Sequence, residues 1–160
     1  MKLYIKQKVF SWKDRFTVKD INGNDRYYVE GELFSVGKRL HIYNSQNEEV
    51  AMIVQKLWSF LPRYFVYING TQTAQIVKEF TFLKQKYRIE GLNWEVAGDF
   101  FAHDYVVSQN GEPIVSISKE WMTWGDSYEL DMADTVNEIA ALTVVLAIDC
   151  VMATSNNNAN

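Results

Sequence analysis

Polar and apolar positions alternate along most of this chain. Tyr128, Leu130 and Met132 fall on one side of a run whose other side is Ser127, Glu129 and Asp131. Leu83, Gln85, Tyr87 and Ile89 form a second such row. Period two with one apolar side marks strands of a sheet that is wetted on one face only. Twelve strand-like runs follow, near residues 3–10, 15–21, 26–34, 38–43, 49–57, 63–68, 73–80, 82–90, 92–97, 100–109, 112–120 and 126–132. Three Asn-Gly pairs, Asn22-Gly23, Asn69-Gly70 and Asn110-Gly111, sit between such runs. Asn-Gly tolerates positive φ at both central positions of a hairpin turn. A polar turn, Asn44-Ser45-Gln46-Asn47, marks another hairpin. Three hairpins finish alike, at Lys56-Leu57-Trp58, Lys78-Glu79-Phe80 and Lys119-Glu120-Trp121. So many sequential antiparallel strands must hide their edges, and closure into a barrel does so.

One segment departs from this period. Residues 139–153 are apolar nearly all round. Thr135-Val136-Asn137-Glu138 reads as a capping box, with Thr135 and Glu138 satisfying each other's backbone N–H groups. A helix without a polar face is buried in protein or lipid. A membrane span needs about 20 apolar residues. This run is shorter, contains Asp149 and lacks basic flanks, so it reads as a core helix. A barrel of about 12 strands has a bore too wide for its own side chains, and the helix fills it. The fold class is therefore mainly β, a closed antiparallel barrel of about 12 strands around a C-terminal hydrophobic α-helix. The helix takes the space where a lipocalin-like cargo would sit.

At 160 residues and 18.6 kDa, 48% hydrophobic, the chain makes one domain over residues 1–154, followed by a polar, disordered tail over 155–160. The net charge of −4 and pI near 5.2 argue against nucleic acid as a partner. The N-terminus shows no signal peptide, and the one thiol, Cys150, suits a reducing compartment, so a cytoplasmic location is expected. One Cys and two His make too few ligands for a Cys/His zinc site, so no metal or cofactor is expected.

The twelve runs, the hairpins ending in Lys-x-aromatic, Trp124-Gly125-Asp126-Ser127-Tyr128-Glu129-Leu130 and the terminal helix with Ala147-Ile148-Asp149 together resemble the LURP-one-related family, in its bacterial form. The resemblance covers essentially the whole chain. It implies the fold shared with Tubby C-terminal domains and phospholipid scramblases, a twelve-stranded barrel threaded by a hydrophobic helix. Tubby domains bind phosphoinositides through basic side chains, and scramblases are linked to anionic phospholipid and Ca2+. No Tubby site residue has a counterpart that aligns here.

Lys84, Lys86 and Arg88 alternate on one strand, so they project from one face at about 7 Å spacing, and with Lys6 and Lys8 they form a candidate anion patch. The plainer account is a solvated strand face. His103-Asp104 are strand neighbours and face opposite ways, which excludes a dyad between them. His41 lies between two apolar residues and is expected to face solvent. No nucleophile motif or phosphate loop is present, so the domain is read as non-catalytic. Cys150 is expected to be inert core. Asp149 is expected to anchor the helix to backbone N–H groups or a rim cation. Asp126, Glu129, Asp131 and Asp134 precede the helix and suit its dipole better than a Ca2+ loop. Trp58, Phe60, Trp121 and Trp124 are expected to plug the barrel end, the alternative being a patch for a protein partner or a membrane interface. The expected function is binding of an anionic lipid headgroup or another phosphorylated ligand. A protein-interaction module and an enzyme using His103 or His41 are the alternatives.

Overall fold

The computed structural model describes residues 1–6, 15–32, 36–79, 86–122 and 125–157. Twelve strands form in the expected places: β1 (Lys2–Lys6), β2 (Arg15–Asp20), β3 (Asp25–Gly31), β4 (Arg39–Asn44), β5 (Glu49–Gln55), β6 (Arg63–Ile68), β7 (Thr71–Glu79), β8 (Lys86–Glu90), β9 (Trp94–Asp99), β10 (Asp104–Gln109), β11 (Glu112–Met122) and β12 (Gly125–Met132). All belong to one antiparallel sheet. Sequential strands are neighbours, and β1 pairs with β12 over Lys2↔Asp131 to Lys6↔Ser127. That pairing brings the sheet round on itself. The sheet order ends at β8 and β9, which carry no ladder between them among the described residues. The barrel is thus nearly closed, with one seam.

The up-and-down order sorts the connections. Links from even to odd strands lie at one end, the turn end. Links from odd to even strands lie at the other, the loop end. At the turn end, Asn69-Gly70 and Asn110-Gly111 have positive φ at both residues, as two-residue hairpin turns require. Asn22-Gly23 differs, because only Gly23 has positive φ. There Asp20 Oδ1 accepts from the N–H groups of Asn22 and Asn24 at 2.8 and 2.9 Å. Asn44 Oδ1 does the same for Gln46 and Glu48 at 3.0 and 2.9 Å. These two turns share one design, a side-chain oxygen that holds the loop from inside.

Helix α1 (Glu138–Asn157) lies within the barrel, against β5, β6, β7 and β12. Leu142, Val144, Val145, Leu146, Ile148 and Val151 are completely buried. Facing them are Ile5, Ile42, Ile53, Val66, Ile76 and Leu130, also sealed from water. The stretch Glu138–Ser155 is long and apolar enough to cross a membrane, yet 78% of it is buried inside the barrel. Tyr64 on β6 and Thr154 share a hydrogen bond of 2.7 Å, tying the helix's last turns to the wall.

Two expectations at the helix ends need correction. The cap is Asn137, whose Oδ1 accepts from the N–H of Ala140 at 3.0 Å, and Thr135 stands exposed before it. Glu138 turns to the wall, taking Arg26 Nε at 3.0 Å and the Tyr27 hydroxyl at 2.6 Å. The expected tail begins too early, since 155–157 form the last helical turn and Ser155 Oγ donates to Val151 O at 2.8 Å. Residues 158–160 lie outside the described residues.

Candidate functional site

An open cleft of about 460 Å³ lies at the loop end. Its lining includes Phe60, Leu61, Arg63, Lys78, Glu79 and Arg88. Strand register assembles it. Arg63 on β6 pairs with Val77 on β7, which pairs with Arg88 on β8. Residues directly opposite in a ladder project to the same side, so Arg63 and Arg88 flank Val77 on the outer wall. Lys78 has the parity of buried Ala74 and Ile76 and belongs to the mouth of the barrel. The β5–β6 loop packs beside it, with the Lys78 N–H donating to Pro62 O at 3.1 Å.

The cleft's cations differ in what they have spent. Arg88 pairs with Glu90 at 2.5 Å and with Glu79 at 3.5 Å. Lys86 pairs with Glu79 at 3.0 Å. Those two residues of the expected stripe do project outward, opposite buried Tyr87 and Ile89, but each is engaged by a carboxylate. Among the described residues, Arg63 reaches only the amide oxygen of Gln75, at 3.4 Å, and its buried Nε has no hydrogen-bond partner. Lys78 has no ion pair among the described residues. Of the other expected patch residues, Lys84 and Lys8 lie outside the described residues, as does the side chain of Lys6 on β1.

Next to the cleft, the loop over residues 56–62 holds Trp58 and Phe60 fully exposed to water. Both were expected to plug the barrel, and instead they stand clear of it. Trp58 has φ +56°, a left-handed conformation that costs a bulky residue energy. The loop is nonetheless ordered by Ser59 Oγ, which donates to Leu61 O at 2.8 Å. Val36, Leu57 and Phe101 are further exposed apolar residues at this end. Trp124 and the side chain of Trp121 lie outside what is described.

A second polar cluster sits inside the barrel. Asp149 on α1 is 2% exposed. One of its oxygens accepts from the Tyr128 hydroxyl of β12. The other, Oδ1, lies 3.5 Å from His103 Nε2 and has no hydrogen bond. The partners are therefore a phenol and an imidazole, where backbone N–H groups or a rim cation were expected. His103 lies in the β9–β10 turn with φ +50° and reaches inward, its ring stacked on Tyr128 at 4.4 Å. His103 Nδ1 and the Tyr105 hydroxyl are buried and unpartnered. Burial, and then the charge of Asp149, push the phenols of Tyr105 and Tyr128 well above their ordinary range. The same two causes raise the Cys150 thiol.

His41 lies on the outer wall with Nδ1 2.7 Å from Glu49 and Nε2 3.5 Å from Glu32. Acids of β12 and of the link after it hold the start of the chain: Lys2 bridges Glu129 at 2.7 Å and Asp131 at 3.7 Å, and Asp134 lies 3.7 Å from the terminal amine. Among the described residues, no group of three or more His, Cys, Asp or Glu side chains is placed to hold a metal ion.

The LURP-one-related family model matches residues 1–149. The chain belongs to the LURP-one-related family. A Bacillus subtilis relative, the uncharacterised protein YxjI, is 36% identical over 152 residues, spanning 95% of this chain and 94% of its own. The crystal structure of a protein from Arabidopsis thaliana superposes with a TM-score of 0.64 at 14% identity, over 93% of this chain and 90% of that one. At that identity the likeness concerns the fold alone. These comparisons name neither ligand nor reaction.

Proposed function

We propose that this LURP-one-related domain is a non-catalytic, cytoplasmic binding module for an anionic, phosphate-bearing ligand, held in the cleft of Arg63, Lys78 and Arg88. The observation that carries this reading is the unspent charge of the cleft. Three cations line it against the single carboxylate of Glu79, and two of them, Arg63 and Lys78, have no carboxylate partner among the described residues. A guanidinium and an ammonium lining one cleft offer a phosphate both directed N–H donors and a point charge. Binding is favoured over catalysis because the histidines are poorly placed for chemistry. The free nitrogen of His103 is buried, and His41 is held between two carboxylates.

Titration with inositol hexakisphosphate, a soluble polyphosphate, tests the cleft at low and physiological salt. Binding is expected at low salt, weaker at physiological salt, and reduced by about fivefold for each of Arg63→Gln and Lys78→Gln, the worth of about 1 kcal/mol per cation. No binding at either salt concentration, or binding untouched by both substitutions, overturns the reading.

A further inference from the structure

We infer that the barrel docks end-on against an anionic membrane surface, with the loop end down and Trp58 and Phe60 entering the lipid interface. The inference rests on the anion-binding reading of the adjacent cleft and adds the source of the anion and the orientation of the protein.

The distribution of exposed apolar side chains points to it first. Seven large hydrophobic residues are exposed among those described, and Val36, Leu57, Trp58, Phe60 and Phe101 all lie at the loop end. Met1 and Ile21 alone lie at the turn end. Scattered exposed hydrophobics are ordinary, but concentration on one end is the mark of a contact surface. Trp58 gains nothing from its place in the free protein. It is fully in water, and its backbone bears a left-handed strain. An interfacial contact supplies the missing return, because Trp and Phe with a polar surround settle at the headgroup level of a bilayer.

Charge selects a lipid surface over an apolar protein face. Lys38, Arg39, Lys56, Arg63, Lys78 and Lys86 surround the aromatic rim, against Glu32, Glu79, Asp99 and Asp104. The turn end carries Asp20, Asp25, Glu48, Glu49, Glu112 and Asp134 with few cations. An acidic protein with this polarity presents its basic end to a negative surface and holds its acidic end beyond the Debye length of about 8 Å. Insertion needs no unfolding, since the chain's own long apolar helix stays inside the barrel.

Vesicles of phosphatidylcholine alone and of phosphatidylcholine with phosphatidylserine provide the test, by sedimentation and by quenching of tryptophan fluorescence with brominated lipids. The full chain, which has five tryptophans, is expected to bind the anionic vesicles and to show quenching that Trp58→Phe reduces. Trp58→Ser with Val36→Ser, neither of which lines the cleft, is expected to lower vesicle partitioning by about tenfold, the worth of one buried aromatic, with inositol hexakisphosphate binding unchanged. Both side chains are exposed, so circular dichroism should match the parent. Soluble polyphosphate binding without vesicle binding overturns end-on docking and leaves the cleft reading standing. Failure of both removes both. Self-association that the double substitution abolishes, without vesicle binding, assigns the rim to a second copy of this chain and overturns the inference.

Discussion

Tyr128 donates its hydroxyl proton to the carboxylate of Asp149 inside the barrel, where both residues are almost wholly enclosed. A buried charge holds its place only while its hydrogen bonds are made. Tyr128→Phe removes the donor and leaves the same ring volume. It is expected to lower stability by about 1.5–3 kcal/mol, the worth of a hydrogen bond to a charged group. Urea unfolding measures this, and an unchanged midpoint would show that the pair contributes nothing.

The helix that carries Asp149 is the main source of cohesion. Leu142 and Leu146 are fully buried. Truncating either to alanine opens a cavity that a sheet fixed on all sides cannot collapse into. A loss of about 2–5 kcal/mol is expected for each in the same urea assay.

The cap assignment separates two neighbouring residues. Asn137→Ala removes the acceptor for the Ala140 N–H and is expected to cost about 1 kcal/mol. Thr135→Ala, at an exposed position outside the helix, is expected to stay within about 0.5 kcal/mol. Thermal denaturation of the two variants side by side decides between them. A reversed order would restore the capping box.

The Asp20 turn makes the acid limb of stability testable. Hydrogen bonds from the Asn24 side chain and from the backbone of Asn24 and Asn22 hold the Asp20 carboxyl below its ordinary range. A carboxyl whose folded value is depressed stabilises the fold fully above its unfolded value, about 3.9, and loses that contribution as pH falls through the folded value. Asn44 serves the equivalent turn as an amide, so Asp20→Asn is expected to keep the turn and abolish the titration. The stability gap between parent and variant should therefore narrow as pH drops below about 4. A gap that stays constant through that window would remove Asp20 from the acid response.

Cys150 is sealed in the core with its thiol raised by burial. Alkylation by iodoacetamide should proceed only as fast as the protein unfolds, since the thiolate is the reactive form. Rapid labelling of the folded protein would contradict the enclosed helix.

Period-two alternation made the strands legible, because a half-buried sheet writes its two faces directly into the order of residues. The greasy run after Thr135 made the helix equally plain. The site was harder to see. Arg63 has no basic neighbour in sequence, and it meets Arg88 only through two strand registers. Counting back from the Asn69-Gly70 turn, and allowing for the bulge between Val66 and Tyr67, would have placed Arg63 opposite Val77. Tyr128 was legible as an inward residue of β12, but its meeting with Asp149 was not. His103 shares the parity of buried Tyr105 and Val107, but it lies in the turn before β10 with a left-handed backbone, where strand alternation gives no assurance of direction.

The enclosure of α1 also dictates an order of events during synthesis. The segment that occupies the middle follows all twelve strands along the chain. A ribosome therefore releases the wall before its filling. Until the last turns emerge, the nascent hairpins have an apolar side with nothing to cover it, so the wall cannot settle strand by strand and must wait to wrap the helix as a late, concerted step.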